Sequence, residues 1–298
     1  MTPNTAAPDP IWLDRMYNNR ALVPDHADYF KRWAQTSEIA RQSDPCQLDV
    51  AYGTGATDTA DIFTARQAGS TSSAGAPVLV FIHGGYWRSL DKADHSFLAP
   101  VFARSEACVV VPNYALCPAV TIPQITQQMV DALVWTWRNI ARYGGDPARI
   151  TVIGHSAGGH LTAMLLACDW SAQAPDLPAR LVKNAMSISG LYDLEPLRHT
   201  TFLSELNLTP EQVLQASPAL LPRPPQGRLY ALAGADESDE FLRQNRLICQ
   251  AWGIETVPVY ESLAGLNHFS VLEKLADPEH RLHQLAIELV GLDASLRR

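Results

Sequence analysis

The pentapeptide Gly154-His155-Ser156-Ala157-Gly158 constrains this chain more than any other feature. It stands between the apolar run Ile150–Ile153 and the apolar stretch Leu161–Leu166, so a buried strand must turn directly into a helix at Ser156. A serine at such a turn is strained and lifts its hydroxyl clear of the strand end. Gly154 and Gly158 leave room where side chains would collide with the neighbouring strand and helix. Ala157 then offers its backbone N–H, backed by the positive end of the helix, to a charge developing beside Ser156. Ser156 is therefore the candidate nucleophile, and Ala157 a candidate oxyanion donor.

The flanking pattern places this turn in an α/β architecture. Val78–Ile82, Cys108–Val111 and Ile150–Ile153 are short apolar runs bounded by proline or glycine, and Ala185–Ile188, Leu229–Leu232 and Val257–Tyr260 continue the series. Pro258 marks the last of these as an edge strand. Between them, Ile125, Met129, Leu133, Trp137 and Ile140 form one helical stripe that Gly144-Gly145 ends. Ser238–Trp252 and Glu279–Val290 are further helices. Alternating strands and helices predict a mostly parallel central sheet with helices on both faces, its functional groups at the carboxyl ends of the strands. A single domain over 1–298 accommodates all of it. The Gly/Ser-rich segment Ala68–Pro77 is expected to be a flexible loop. Residues 1–45 and 191–226 break the alternation, and either a lid over the strand ends or surface decoration fits them.

Composition narrows the partners. With 298 residues and 47 % apolar content, the chain buries a large core without staples. The 23 basic against 31 acidic residues, a net charge of −8, leave no basic surplus to displace phosphate counterions, which argues against nucleic acid. The five cysteines are odd in number and lack a CxxC pair, as expected for reduced thiols without a cysteine zinc site. No signal-peptide core and no membrane-length apolar run is visible, so a cytoplasmic chain without membrane attachment is expected. A small-molecule substrate is the expected partner, and a homodimer is left open.

A second motif completes the chemistry. His83-Gly84-Gly85-Tyr86-Trp87 follows the strand Val78–Ile82, where glycines let a loop backbone approach a substrate. Gly84, Gly85 and Tyr86 are candidate oxyanion residues, Tyr86 and Trp87 a candidate apolar wall, and His83 a residue that fixes the loop. Trp87 packed under the loop, away from substrate, is the competing expectation. Arg88 is a weaker candidate for meeting a substrate carboxylate. Sites built on such a turn order their partners serine, acid, histidine. Of the later histidines, His160 lies inside the helix after Ser156, His199 precedes any acid, and His280 and His283 belong to the terminal helix, where solvent exposure is expected. His268, in a loop after the last strand, is the candidate base. Gly234-Ala235-Asp236-Glu237-Ser238-Asp239-Glu240 supplies the acid. Asp239 and Glu240 suit the first turn of a helix, which leaves Asp236 and Glu237 undecided by spacing.

These motifs resemble the kynurenine formamidase (arylformamidase) group of α/β-hydrolases. The similarity is carried by His-Gly-Gly-Tyr-Trp at 83–87 and Gly-His-Ser-Ala-Gly-Gly-His at 154–160. Tyr17-Asn18-Asn19-Arg20, Ser189-Gly190-Leu191-Tyr192-Asp193-Leu194 and Ser238-Asp239-Glu240-Phe241 extend it. The resemblance implies an α/β-hydrolase fold and a serine hydrolase needing no cofactor and no metal. It also implies that the acid stands immediately before Ser238, at Glu237, with Asp236 as the alternate because the family residue is often aspartate. Hydrolysis of N-formyl-kynurenine or a related N-formyl aryl amide is the first expectation. A carboxylesterase for small esters is the alternative, and a non-catalytic binding protein on the same fold is the third.

Overall fold

The computed structural model describes residues 9–66 and 75–292. Most of the expected loop 68–77 and the first eight residues lie outside them. Eight strands form one sheet: β1 (Cys46–Ala51), β2 (Thr59–Phe63), β3 (Ala76–Ile82), β4 (Cys108–Pro112), β5 (Gly145–His155), β6 (Asn184–Ile188), β7 (Arg228–Gly234) and β8 (Val259–Leu263). Their spatial order is β1-β2-β4-β3-β5-β6-β7-β8. β2 pairs antiparallel with both its neighbours, and every other pairing is parallel. The fold is thus an α/β-hydrolase sheet of mixed direction, with one reversed strand near one edge.

The period of two explains why the parallel strands read as continuous apolar runs. Val78, Val80 and Ile82 of β3 enter one core, and Leu79 and Phe81 enter the other. Both faces of the sheet are covered, so neither set tolerates polar residues. Helices Ile122–Asn139 and Ala157–Leu166 contribute Ile125, Met129 and Leu161 to the first core, and helix Arg281–Val290 contributes Leu282 and Leu285 to the second. Thr121 and Gln124 cap the first of these reciprocally.

Several elements depart from the sequence pattern for local reasons. The last strand starts at Val259, one residue after Pro258, because proline cannot donate to the ladder. The helix expected over 238–252 runs Asp239–Thr256 with Gly253 breaking its regular geometry at φ 76°. A 3-10 turn, Ile140–Tyr143, precedes Gly144, whose φ of 81° ends the segment before β5. His283 is buried rather than solvated, with Nδ1 at 2.8 Å from the Leu275 carbonyl and its ring stacked on Phe102. The segment 1–45 contains two substantial helices, Pro10–Tyr17 and His26–Ser43. The second buries Trp33, Ser37 and Ala40, and a serine in the middle of its stripe conceals the helical period.

Candidate active site

Ser156 sits between β5 and helix Ala157–Leu166 at φ 57°, ψ −117°, a conformation that costs an ordinary residue roughly 1–3 kcal/mol. Its surroundings leave no alternative path. A Cβ on Gly154 would lie 2.2 Å from the Gly158 carbonyl oxygen, and one on Gly158 would lie 2.0 Å from that of Ile82. The Ser156 amide donates to Ile188 at 2.8 Å, tying the turn to β6.

A hydrogen-bonded chain runs from Ser156 into the protein. The Ser156 hydroxyl lies 3.1 Å from His268 Nε2, and His268 Nδ1 lies 2.6 Å from Glu237 Oε2. The carboxylate accepts only, so it fixes the proton on Nδ1 and leaves Nε2 free to take one from Ser156. Glu237 is held in turn: Oε1 accepts from the Ser189 hydroxyl at 2.5 Å and the Gly234 amide at 2.7 Å. Ser189 reaches it from a second strained turn, at φ 52° after β6. All three members of the chain are buried. Asp236, by contrast, is exposed, and its backbone amide bonds to Leu266. Glu240, four residues along the acidic run, accepts from the Tyr17 hydroxyl at 2.6 Å and pairs with Arg243, fastening the N-terminal segment to the helix Asp239–Thr256.

The His268 loop is braced from both sides. His155, the residue before the nucleophile, donates from Nε2 to the His268 carbonyl at 2.8 Å. Burial, with His268 beside it, pushes the pKa of His155 well below the usual histidine value, so it stays a neutral donor. Asn267 caps the next turn by accepting from the Phe269 and Ser270 amides, both at 2.9 Å. Phe269 packs against Tyr29, Phe30 and Trp33 of helix His26–Ser43.

The glycine loop faces Ser156 from β3. A Cβ on Gly84 would lie 3.1 Å from the Ser156 Cβ, so only glycine lets the backbone come this close. Gly85 has φ 110°, and Tyr86 and Trp87 also carry positive φ. The loop's carbonyls are engaged elsewhere: those of His83 and Gly84 accept from Tyr114, and that of Gly85 from Ser89. The Gly85 and Tyr86 amides donate to no acceptor among the described residues. The Ala157 amide, in the first turn of its helix, has no intrahelical acceptor either. His83 is buried and stacked on Tyr114 at 4.2 Å, with Nε2 3.1 Å from Asn113 Oδ1. Burial lowers its pKa. His83 therefore fixes the loop and does not approach Ser156 as a base.

Tyr86 and Trp87 part company. Tyr86 lines the cleft with Ser156 and His268, its hydroxyl donating to the Tyr17 carbonyl at 2.6 Å. Trp87 corrects the expectation of an aromatic pair at the substrate: it is fully buried under the loop, edge-on to His160 at 5.0 Å. Arg88 pairs with Glu205 and donates to the Phe202 carbonyl at 2.9 Å, so its charge is already answered.

A cleft opens over Ser156, lined also by Gly85, Tyr86, His155 and His268. Both irregular regions border it. Asn19, Arg20, Phe30 and Trp33 come from the N-terminal segment, and Phe202 from the stretch after β6. Spacing singles out none of these, although Asn19 and Arg20 lie within a segment that carries the formamidase resemblance. No group of three or more His, Cys, Asp or Glu among the described residues is placed to hold a metal ion. No described helix is long and apolar enough to cross a membrane.

Comparison with known proteins agrees with this fold. Residues 79–241 match a family model described as alpha/beta hydrolase fold. Kynurenine formamidase of Salmo salar is 30 % identical, covering 94 % of this chain and 92 % of its own length. Esterase LipQ of Mycobacterium tuberculosis is 34 % identical over 49 % of this chain and 35 % of its own length. Among solved structures, a putative thioesterase from Silicibacter sp. superposes with TM-score 0.81 at 31 % identity, covering 94 % of this chain and 98 % of that one. The chain is thus related to both formamidase and esterase lineages. It belongs to the alpha/beta hydrolase fold family and is a hydrolytic enzyme of that superfamily.

Proposed function

We propose that this chain is a serine hydrolase that removes small acyl groups from ester substrates by two-step acyl transfer. The observation that carries the proposal is the chain Ser156–His268–Glu237, at 3.1 and 2.6 Å, beside a glycine loop in contact with Ser156. In this reading His268 takes the Ser156 proton as the hydroxyl attacks the carbonyl carbon. The imidazolium that forms is balanced by Glu237. The Ala157 amide and those of Gly85 and Tyr86 receive the oxyanion, and losing one such donor costs about 10²–10³ in rate in comparable enzymes. His268 then returns the proton to the leaving oxygen, and water repeats the sequence on the acyl enzyme. An ester with a good leaving group asks nothing further of the site. Gly84 stands against Ser156, and Tyr86, Phe30 and Phe202 line the same cleft, which suits a small acyl group on an aromatic leaving group.

A second reading, hydrolysis of N-formyl-kynurenine or a related N-formyl aryl amide, is favoured by one specific observation. The Salmo salar and Danio rerio relatives, matched over 92 % and 85 % of their lengths, are both kynurenine formamidases. Formyl is the smallest acyl group, and the arylamine would occupy the aromatic part of the cleft. The deciding measurement is kcat/KM on p-nitrophenyl acetate beside N-formyl-kynurenine, with Ser156→Ala as control. Ester turnover without formamide turnover supports the first reading, and a strong formamide preference replaces it with the second. Activity that survives Ser156→Ala refutes both.

A further inference from the structure

The N-terminal segment reaches the glycine loop through a residue that does not itself line the cleft. Tyr17 ends the helix Pro10–Tyr17 and is fully buried. Its carbonyl, at a helix end where intrahelical donors run out, accepts from the Tyr86 hydroxyl at 2.6 Å. Its own hydroxyl donates to Glu240 Oε2 at 2.6 Å and accepts from Gln244 Nε2 at 3.0 Å. Burial, with Glu240 beside it, raises the Tyr17 pKa, so the phenol keeps its proton. Both of these partners are fixed in turn. Glu240 pairs with Arg243 at 2.9 Å. Gln244 is fully buried, and its Oε1 accepts from the Tyr192 and Asp193 amides at 2.8 and 2.9 Å, while its Nε2 also donates to the Asp193 carbonyl at 2.8 Å. Tyr17 therefore bridges two parts of the site. Its side chain stands on the helix Asp239–Thr256, close behind Glu237, and its carbonyl holds the glycine loop.

The loop needs such a hold. Tyr86 and Trp87 lie at φ 52° and 55°, and backbone strain of this kind persists only where the surroundings over-determine it. Trp87 is fixed by its buried ring and by its carbonyl, which accepts from the Cys117 amide at 2.7 Å. The Tyr86 ring instead borders the open cleft, edge-to-face with Phe202 at 5.7 Å, and its hydroxyl is anchored on Tyr17. We propose that Tyr17 is a positioning residue that holds Tyr86 in its strained conformation and so keeps the Tyr86 amide aimed at the oxyanion formed on Ser156. The proposal rests on the serine hydrolase reading above and adds to it a residue outside the cleft. In this role the N-terminal segment is part of the catalytic architecture, and Glu240, three residues after the acid of the relay, secures the oxyanion loop through Tyr17.

The test is kinetic. Tyr17→Phe is expected to lower kcat on p-nitrophenyl acetate about tenfold, a part of what a lost oxyanion donor costs, with KM unchanged. Because Tyr17 acts through Tyr86, the double variant Tyr17→Phe/Tyr86→Phe should lose no more kcat than Tyr86→Phe alone. Glu240→Gln keeps an acceptor for the Tyr17 hydroxyl and should keep most of the activity. Glu240→Ala should match Tyr17→Phe, and it carries the test if Tyr17→Phe does not fold. Unchanged kcat with a lowered urea midpoint, a rise in KM alone, or losses that multiply in the double variant would overturn the proposal and leave Tyr17 a structural tie. Calorimetric titration with phenylboronic acid, which adds to a reactive serine as a tetrahedral anion, separates this proposal from the one beneath it. Binding that requires Ser156 and weakens in Tyr17→Phe, in a protein that cleaves no ester, keeps the positioning role and refutes the hydrolase reading. Equal affinity in wild type and Tyr17→Phe overturns the positioning role, whether or not the ester is cleaved.

Discussion

Replacing Glu237 with glutamine tests the proposed relay at its most constrained point. The carboxylate accepts three hydrogen bonds, from His268 Nδ1 at 2.6 Å, Ser189 at 2.5 Å and the Gly234 amide at 2.7 Å. A glutamine has one oxygen and one NH₂ group and cannot satisfy all three. If its oxygen faces His268, the NH₂ confronts the Gly234 N–H, leaving a buried donor unpaired at a cost of about 1–3 kcal/mol. If it turns over, its NH₂ faces His268 Nδ1 and the proton moves to Nε2. The imidazole then points a donor at Ser156 and cannot act as base. The second arrangement is favoured by that 1–3 kcal/mol, so only the minority tautomer works, a loss of roughly 5- to 150-fold. The imidazolium also loses its counter-charge, and together the two effects approach the ~10⁴ loss in kcat known for a similar substitution in a serine protease. The assay is kcat on p-nitrophenyl acetate, with urea unfolding to verify the fold. Glu237→Asp, one methylene shorter, should lose less, because it keeps the charge. A glutamine variant retaining more than a tenth of wild-type kcat, or Asp236→Asn matching it, would refute the reasoning.

Two further outcomes follow from the buried groups. Trp87→Ala should destabilise the protein by about 3–5 kcal/mol, read from the urea midpoint, because a fully buried ring against His160 is removed. A rise in KM without loss of stability would return Trp87 to the substrate. Acid should also weaken the fold. Burial pushes His160 down to about 4 and His95 to about 3, both below the unfolded value near 6.5. The unfolded chain therefore binds more protons in this window, so stability is full above about pH 6.5 and falls as pH drops toward 4. For His160 alone the loss amounts to about 3 kcal/mol, and a urea midpoint unchanged between pH 7 and pH 4.5 would contradict it.

The residues that could be read without the fold are those whose chemistry is local. Gly154 and Gly158 belong to a turn that nothing larger fits, and the apolar runs of β3, β4 and β5 announce strands buried on both faces. His268 stands out because His160 lies inside the helix after Ser156, His199 precedes any acid, and His280 and His283 belong to the terminal helix. Weak periodicity hid other parts. The helix His26–Ser43 buries a serine within its stripe, and the hairpin β1–β2 precedes the alternating pattern. His283 was expected in solvent because its ring partner, Phe102, comes from a distant segment.

What the sequence by itself determined, then, is the alternation, the turn at Ser156 and the glycine loop, all set by short-range sterics and by the burial of β-branched strands. Between Asp236 and Glu237 spacing is silent and the resemblance points to Glu237; tertiary structure adds the hydrogen bond between His268 and Glu237. Both lie in the same loop after β7, and the choice depends on hydrogen bonds that Ser189 and Gly234 bring from two neighbouring strand ends. Tertiary structure alone turned Tyr86 toward the cleft and buried Trp87 beneath it. It alone brought Asn19 and Arg20 to Ser156, since the N-terminal segment is held there by the bond between Tyr17 and Glu240. Spacing along a chain records what neighbours in sequence do to one another. A cleft is assembled from strand ends and distant helices, and their meeting is fixed only when the whole sheet closes its two cores.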